Sequence, residues 1–184
     1  AVGADPRTGD GAGVLIQIPH IFLTSVCKED NIQLPEYGRY GVGMVFLPAK
    51  EKERLHCEKE FERIIKQEGQ KVLGWRLVPV NKKILGHGAL ETEPVIKQVF
   101  IECDDSINDM LAFERRLYLI RKQVEYCINQ ADLTQKSFFY ITKLSCRTLV
   151  YKGLLMPEQV KEYFFDLTDR RLVSALALAH SRYS

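Results

Sequence analysis

Among the side chains in this sequence that could do nucleophilic or acid–base chemistry are five cysteines, Cys27, Cys57, Cys103, Cys127 and Cys146, and four histidines, His20, His56, His87 and His180. A thiol becomes a nucleophile when a base or an electropositive neighbour holds it as thiolate. Cys146 stands beside a guanidinium, in the string Leu144-Ser145-Cys146-Arg147-Thr148. No histidine is tied to it by spacing, and cysteine in a β-rich run is usually packing, so the core reading is preferred. The cysteines form no CxxC pair, which removes metal clusters of the usual spacing. His20, His56 and His87 are isolated and read as surface or packing residues, and neither GxSxG nor HExxH occurs.

Two further segments carry candidate chemistry. The opening GADPRTGDGAG holds Gly3, Gly9, Gly11 and Gly13 but lacks GxxxxGK[ST], and it precedes a strand where a dinucleotide-binding turn would follow one. Asp5 and Asp10 would repel an anion, and two acids are too few for a calcium loop, so it reads as turns. At the other end, His180-Ser181-Arg182 closes an apolar strand-like run. An arginine fixed there can fork two N–H bonds to a carboxylate, which lysine cannot copy. On the residues alone a solvent-facing or structural arginine is the preferred reading.

The elements that position these residues follow from periodicity. Strands are expected at Val14–Ile18, Tyr40–Leu47, Val72–Val80 and Val95–Ile101, and the glycines of Tyr40–Leu47 allow close backbone approach. Phe22–Asp30 predicts a short helix. Leu55, Phe61, Ile64 and Ile65 mark a helix within 49–68, stopped by Gly69. Ile107, Met110, Leu111, Leu117, Ile120, Val124 and Cys127 mark a second long amphipathic helix, with Glu114, Arg115 and Arg121 facing water. Phe138–Ile141 and Arg147–Tyr151 read as two strands paired with each other. Pro157 opens a helix running to about Phe165, and Leu172–Ala179 forms a last strand. Strands cluster early and late with no regular βαβ alternation, which predicts α+β layers.

With 184 residues, 46% of them hydrophobic and 27% charged, the chain fits one globular domain. Lys plus Arg exceeds Asp plus Glu by only two, with both signs interleaved in Lys50–Lys59 (KEKERLHCEK), so no nucleic-acid footprint is expected. No apolar run approaches the roughly 18 residues of a membrane span, and no leader pattern is visible. Scattered cysteines in odd number fit a reducing compartment, the cytoplasm. The chain opens on Ala1 inside a loop and closes on Ser184 directly after the apolar run, which suggests an excerpt of a longer protein.

The strings GADPRTGDGAGVLIQIPH, YGRYGVGMVFLP, EGQKVLGWRLVPV, EPVIKQVFI, ERRLYLIRK, SCRTLVYKGLL and RLVSALALAHSRYS together resemble the amidotransferase domain of the glutamate synthase large-subunit family, in the family's order and over nearly the whole chain. The resemblance implies an N-terminal-nucleophile hydrolase fold, a four-layer αββα sandwich incomplete at both ends. It also implies hydrolysis of glutamine by an N-terminal cysteine whose own α-amino group is the base. The ammonia released passes to a flavin domain for reductive amination of 2-oxoglutarate, a nitrogen-assimilation reaction. The nucleophile is expected upstream of Ala1, so none of the five cysteines inherits its role. Arg182 matches the family arginine for the glutamine α-carboxylate, which reverses the reading of that residue. Tyr183 and Ser184 match the start of the loop closing over glutamine. No cofactor is expected in this piece, and FMN and an iron–sulfur cluster are implied for other domains. The implied partners are glutamine, the synthase and central domains of the same chain and a small reductase subunit, with neither nucleic acid nor membrane. The other reading, with Ala1 a true terminus, is a degenerate amidotransferase-like binding domain without catalysis.

Overall fold

The computed structural model describes residues 11–85, 90 and 93–181. The strands are β1 (Ala12–Gln17), β2 (Tyr40–Leu47), β3 (Lys71–Leu77), β4 (Val95–Glu102), β5 (Tyr140–Ser145), β6 (Thr148–Gly153) and β7 (Ala177–Ser181). The helices are α1 (His20–Glu29), α2 (Glu51–Gln67), α3 (Met110–Gln130) and α4 (Pro157–Tyr163), the last followed by a 3₁₀ turn at Phe165–Thr168. They build two antiparallel sheets, one in the order β6-β1-β7 and one in the order β3-β4-β2-β5. The α+β expectation holds.

Alternation along the central strands sends side chains to two separate cores. Val42 and Met44 of β2 and Ile96 and Phe100 of β4 face β1 and β6 across the space between the sheets, meeting Ile16, Leu149 and Tyr151. Val45, Leu47, Val99 and Ile101 face the opposite way, onto α2 and α3. Each row follows from the period of two of a strand buried on both faces. Gly41 lies where a Cβ would come within 2.6 Å of Leu117 on α3, so the glycine there serves close approach of helix to sheet.

Local chemistry sets the helix ends. Gly69, at φ 72°, closes α2: its own N–H reaches the Lys66 carbonyl and that of Gln70 reaches the Ile65 carbonyl, the paired bonds of a Schellman motif. α3 begins at Met110, leaving Ile107 outside, because the Asp109 carboxylate accepts from the N–H groups of Leu111 and Ala112.

Three further expectations differ from the structure. β5 and β6 do not pair with each other: β5 joins β2 in one sheet and β6 joins β1 in the other, so Cys146-Arg147 is a corner between sheets. Glu114 does not face water but accepts from Ser145 Oγ at 2.7 Å and from the Cys146 N–H at 2.6 Å, pinning that corner. The last strand covers only Ala177–Ser181, with Ala177 through His180 exposed, so backbone pairing to β1 and not side-chain burial holds it.

Candidate active-site end of the sandwich

β1 and β7 run antiparallel with Ala12 opposite Ser181, so the start of β1 and the end of β7 lie at the same end of the smaller sheet, one edge of the sandwich. The sequence-derived site residues Arg182, Tyr183 and Ser184 follow Ser181 directly but lie outside the described residues, as do Asp5, Asp10 and His87. The structure describes the strand ends next to them in sequence. Gly13 sits between Lys152 and His180 in register, and a Cβ there would fall 2.6 Å from the Tyr151 carbonyl oxygen and 2.9 Å from the His180 ring. That glycine is a packing requirement of the β6-β1-β7 sheet.

Two concavities flank this edge. One, of about 460 Å³, lies between β7 and α4 and is lined by Ala12, Val14, Val160, Lys161, His180 and Ser181 among others. The second, of about 490 Å³, opens beside Gly11, Phe46, Tyr140, Lys152 and His180. Lys152 Nζ donates to Tyr140 Oη at 2.8 Å and lies 4.4 Å from the centre of that ring, which fixes the ammonium at the rim. Among the described residues no carboxylate lines either space.

The cysteines are placed elsewhere. Cys27, Cys57, Cys103 and Cys146 are buried. Burial pushes the Cys27 and Cys57 thiols up to about 12. Cys146 is raised further, by burial and then by the Glu114 carboxylate, while its neighbour Arg147 is exposed. A thiol held protonated is a poor nucleophile. Cys127, half-buried on α3, receives a long contact from Arg63 Nη2 at 3.8 Å on the helical side of the larger sheet. His20 begins α1 and its Nδ1 is 3.1 Å from Tyr40 Oη, a packing arrangement, and His56 is exposed. Iodoacetamide is therefore expected to label Cys127 first in the native protein, the other four only after unfolding. Mass spectrometry of the labelled peptides checks this, and fast native labelling at Cys146 would contradict the reading.

Among the described residues no group of three or more His, Cys, Asp and Glu side chains is placed to hold a metal ion, and no helix is long and apolar enough to cross a membrane.

One polar cluster was not expected from the sequence. Arg76 of β3 makes a two-pronged pair with Asp166, Nη1 to Oδ2 at 2.8 Å and Nη2 to Oδ1 at 2.7 Å. Arg76 Nη1 also donates to Gln98 Oε1 at 2.9 Å, and Tyr151 Oη donates to Asp166 Oδ2 at 2.9 Å. Burial works against the Arg76 charge, but the hydrogen bonds and charge of Asp166 prevail and its pKa is raised. Burial, with Asp166 adding to it, pushes Tyr151 well above the usual phenol range and keeps it a donor. The cluster ties β3, β4 and β6 to the 3₁₀ turn that precedes β7. Its signal in the sequence is one cation inside VLGWRLV and one anion inside FFDLT.

A family model described as glutamine amidotransferases class-II matches residues 1–184. The chain is 53% identical to the NADPH glutamate synthase large chain of Bacillus subtilis strain 168, covering 99% of this chain and 12% of that protein. It is 40% identical to the NADH glutamate synthase of Saccharomyces cerevisiae, covering 100% of this chain and 9% of the relative. It is 39% identical to the ferredoxin-dependent glutamate synthase 1 of Arabidopsis thaliana, with coverages of 99% and 11%. The chain thus spans about a tenth of the length of these relatives.

Proposed function

The chain belongs to the class-II glutamine amidotransferases, and from that premise we propose that it is part of the glutaminase domain of a glutamate synthase. In this reading a cysteine thiolate attacks the side-chain amide carbon of glutamine. The C–N bond breaks, ammonia leaves, and water cleaves the resulting thioester to glutamate. The ammonia then serves reductive amination of 2-oxoglutarate elsewhere in the longer polypeptide. The nucleophile is none of the five cysteines here, because four are buried thiols and Cys127 faces the helical layer.

The observation that carries the assignment of substrate binding is the edge itself. β1 pairing leaves Ser181 beside Ala12, at an end of the sheet flanked by two spaces whose lining, among the described residues, carries Lys152 and Lys161 and no carboxylate. Arg182 binds the glutamine α-carboxylate, and Tyr183 and Ser184 begin the loop over it. FMN and the iron–sulfur cluster belong to other domains. The scattered, mostly buried cysteines described here do not fit a cluster, and no step is assigned through either group. The compartment is the cytoplasm, and a small reductase subunit is a partner of the intact enzyme. The named relatives use NADPH, NADH and ferredoxin, so likeness to them does not select an electron donor.

The test is made on the intact protein. Glutamine is expected to release ammonia, and glutamate is expected to form from 2-oxoglutarate with either glutamine or ammonia as nitrogen source. A well-folded intact protein that binds glutamine without releasing ammonia would overturn this reading in favour of a binding domain.

A further inference from the structure

α3 carries two apolar stripes. Phe113, Leu117, Ile120, Val124 and Ile128 form the dry one, against α2 and the larger sheet. Leu111, Tyr118, Leu119 and Tyr126, with Arg115 and Lys122 between them, repeat nearly the same spacing two residues earlier, which at 3.6 residues per turn puts them about 200° round the helix. These four apolar residues are 53, 57, 47 and 67% exposed. The stripe is about 22 Å long, and tyrosine and arginine at its centre are the residue types enriched in interface cores.

The position of the charges identifies the occupant. Arg115 reaches Asp109 only at 3.9 Å, with both side chains exposed. Lys122 shares Glu125 with Arg121, at 3.2 and 2.7 Å, so one carboxylate serves two cations. A second copy of the chain does not suit this face. Two-fold antiparallel packing centred between Tyr118 and Leu119 would match Leu111 with Tyr126 but set Arg115 against Lys122, twice over. A complementary surface is apolar with carboxylates opposite the two cations.

We propose that this stripe is an interdomain docking face, filled in the full-length protein by an apolar, carboxylate-bearing surface of the same polypeptide. The proposal rests on the reading that the chain is part of a large synthase, since its relatives extend roughly tenfold further than the matched region.

Hydroxyl-radical footprinting of the full-length protein tests it. Tyr118 and Tyr126 are expected to react at least about tenfold more slowly than in the Arg115→Glu/Lys122→Glu variant, because a desolvated interface core excludes water. The milder Arg115→Ala/Lys122→Ala variant gives an intermediate rate and covers the case in which charge reversal disturbs folding. Fast labelling in the unaltered protein overturns the proposal, since the face is then open. Protection that survives both variants overturns it as well, because the occupant is then not acidic, and protection lost on dilution assigns the face to a second copy. Ammonia release from glutamine in the same samples reports on the functional reading separately, since a catalytically silent protein can still show the footprint.

Discussion

Replacing Asp166 by alanine is expected to destabilise the domain by about 3–5 kcal/mol, the usual cost of stripping one partner from a buried ion pair. The Arg76 and Asp166 side chains are only 6 and 2% exposed, so the guanidinium left behind has no water to replace the lost carboxylate. Tyr151 loses its acceptor at the same time, and Gln98 Nε2, 3.4 Å from Tyr151 Oη, is itself a donor and cannot take the phenol proton. Chemical denaturation checks the value, with the midpoint falling at unchanged slope. Removing the charge altogether discriminates between an energetic and a purely steric role. The double variant Arg76→Met/Asp166→Leu fills similar volume with apolar groups and is expected to lie much closer to the unaltered protein than Asp166→Ala does. A single variant that lost less than about 1 kcal/mol would mean that water reaches the cluster and that it does not hold the turn before β7.

Arg182→Lys in the intact enzyme is expected to lower kcat/KM for glutamine by roughly ten- to a hundredfold, while ammonia-supported glutamate formation stays nearly unchanged. The lysine keeps the positive charge but loses the planar fork that grips both oxygens of an α-carboxylate. Among the described residues lining the two spaces beside Ser181 there is no guanidinium to supply that fork instead. Lys152 is engaged with Tyr140, and β7 offers only short side chains, Ala179 and Ser181, on the face shared with Ala12 and Val14. Because ammonia bypasses the glutamine site, equal loss of both activities would make Arg182 a folding or interdomain residue and remove it from carboxylate binding.

Much of the domain is written locally. β2 occupies Tyr40–Leu47 as expected because an apolar run is bounded by Gly38 and Pro48, and α2 ends where Gly69 adopts a left-handed backbone that other residues resist. The roles proposed for Arg182, Tyr183 and Ser184 rest on resemblance to a family, since a strand followed by an arginine is common and its ligand is not encoded nearby. The start of α3 was misplaced because Ile107 continues the apolar spacing, although the Asp109 cap interrupts the helix after it.

Composition, strand and helix periods and stop signals were thus settled by residues close in the chain, where each turn or cap satisfies its own backbone groups. Tertiary structure alone decided which partner each element took. β5 and β6 are adjacent strands with a short link, and nothing local separates a hairpin from a corner; the choice follows from which sheet their apolar rows complete. Arg76 and Asp166 are separated by 90 positions, and burial without a partner would cost more than either local sequence offsets. The two stripes of α3 share nearly the same spacing, and the larger sheet and α2 cover the wholly apolar one, leaving the one that also carries Arg115 and Lys122 facing solvent. Long-range burial is a collective free energy of the closed fold, so no window of sequence contains it.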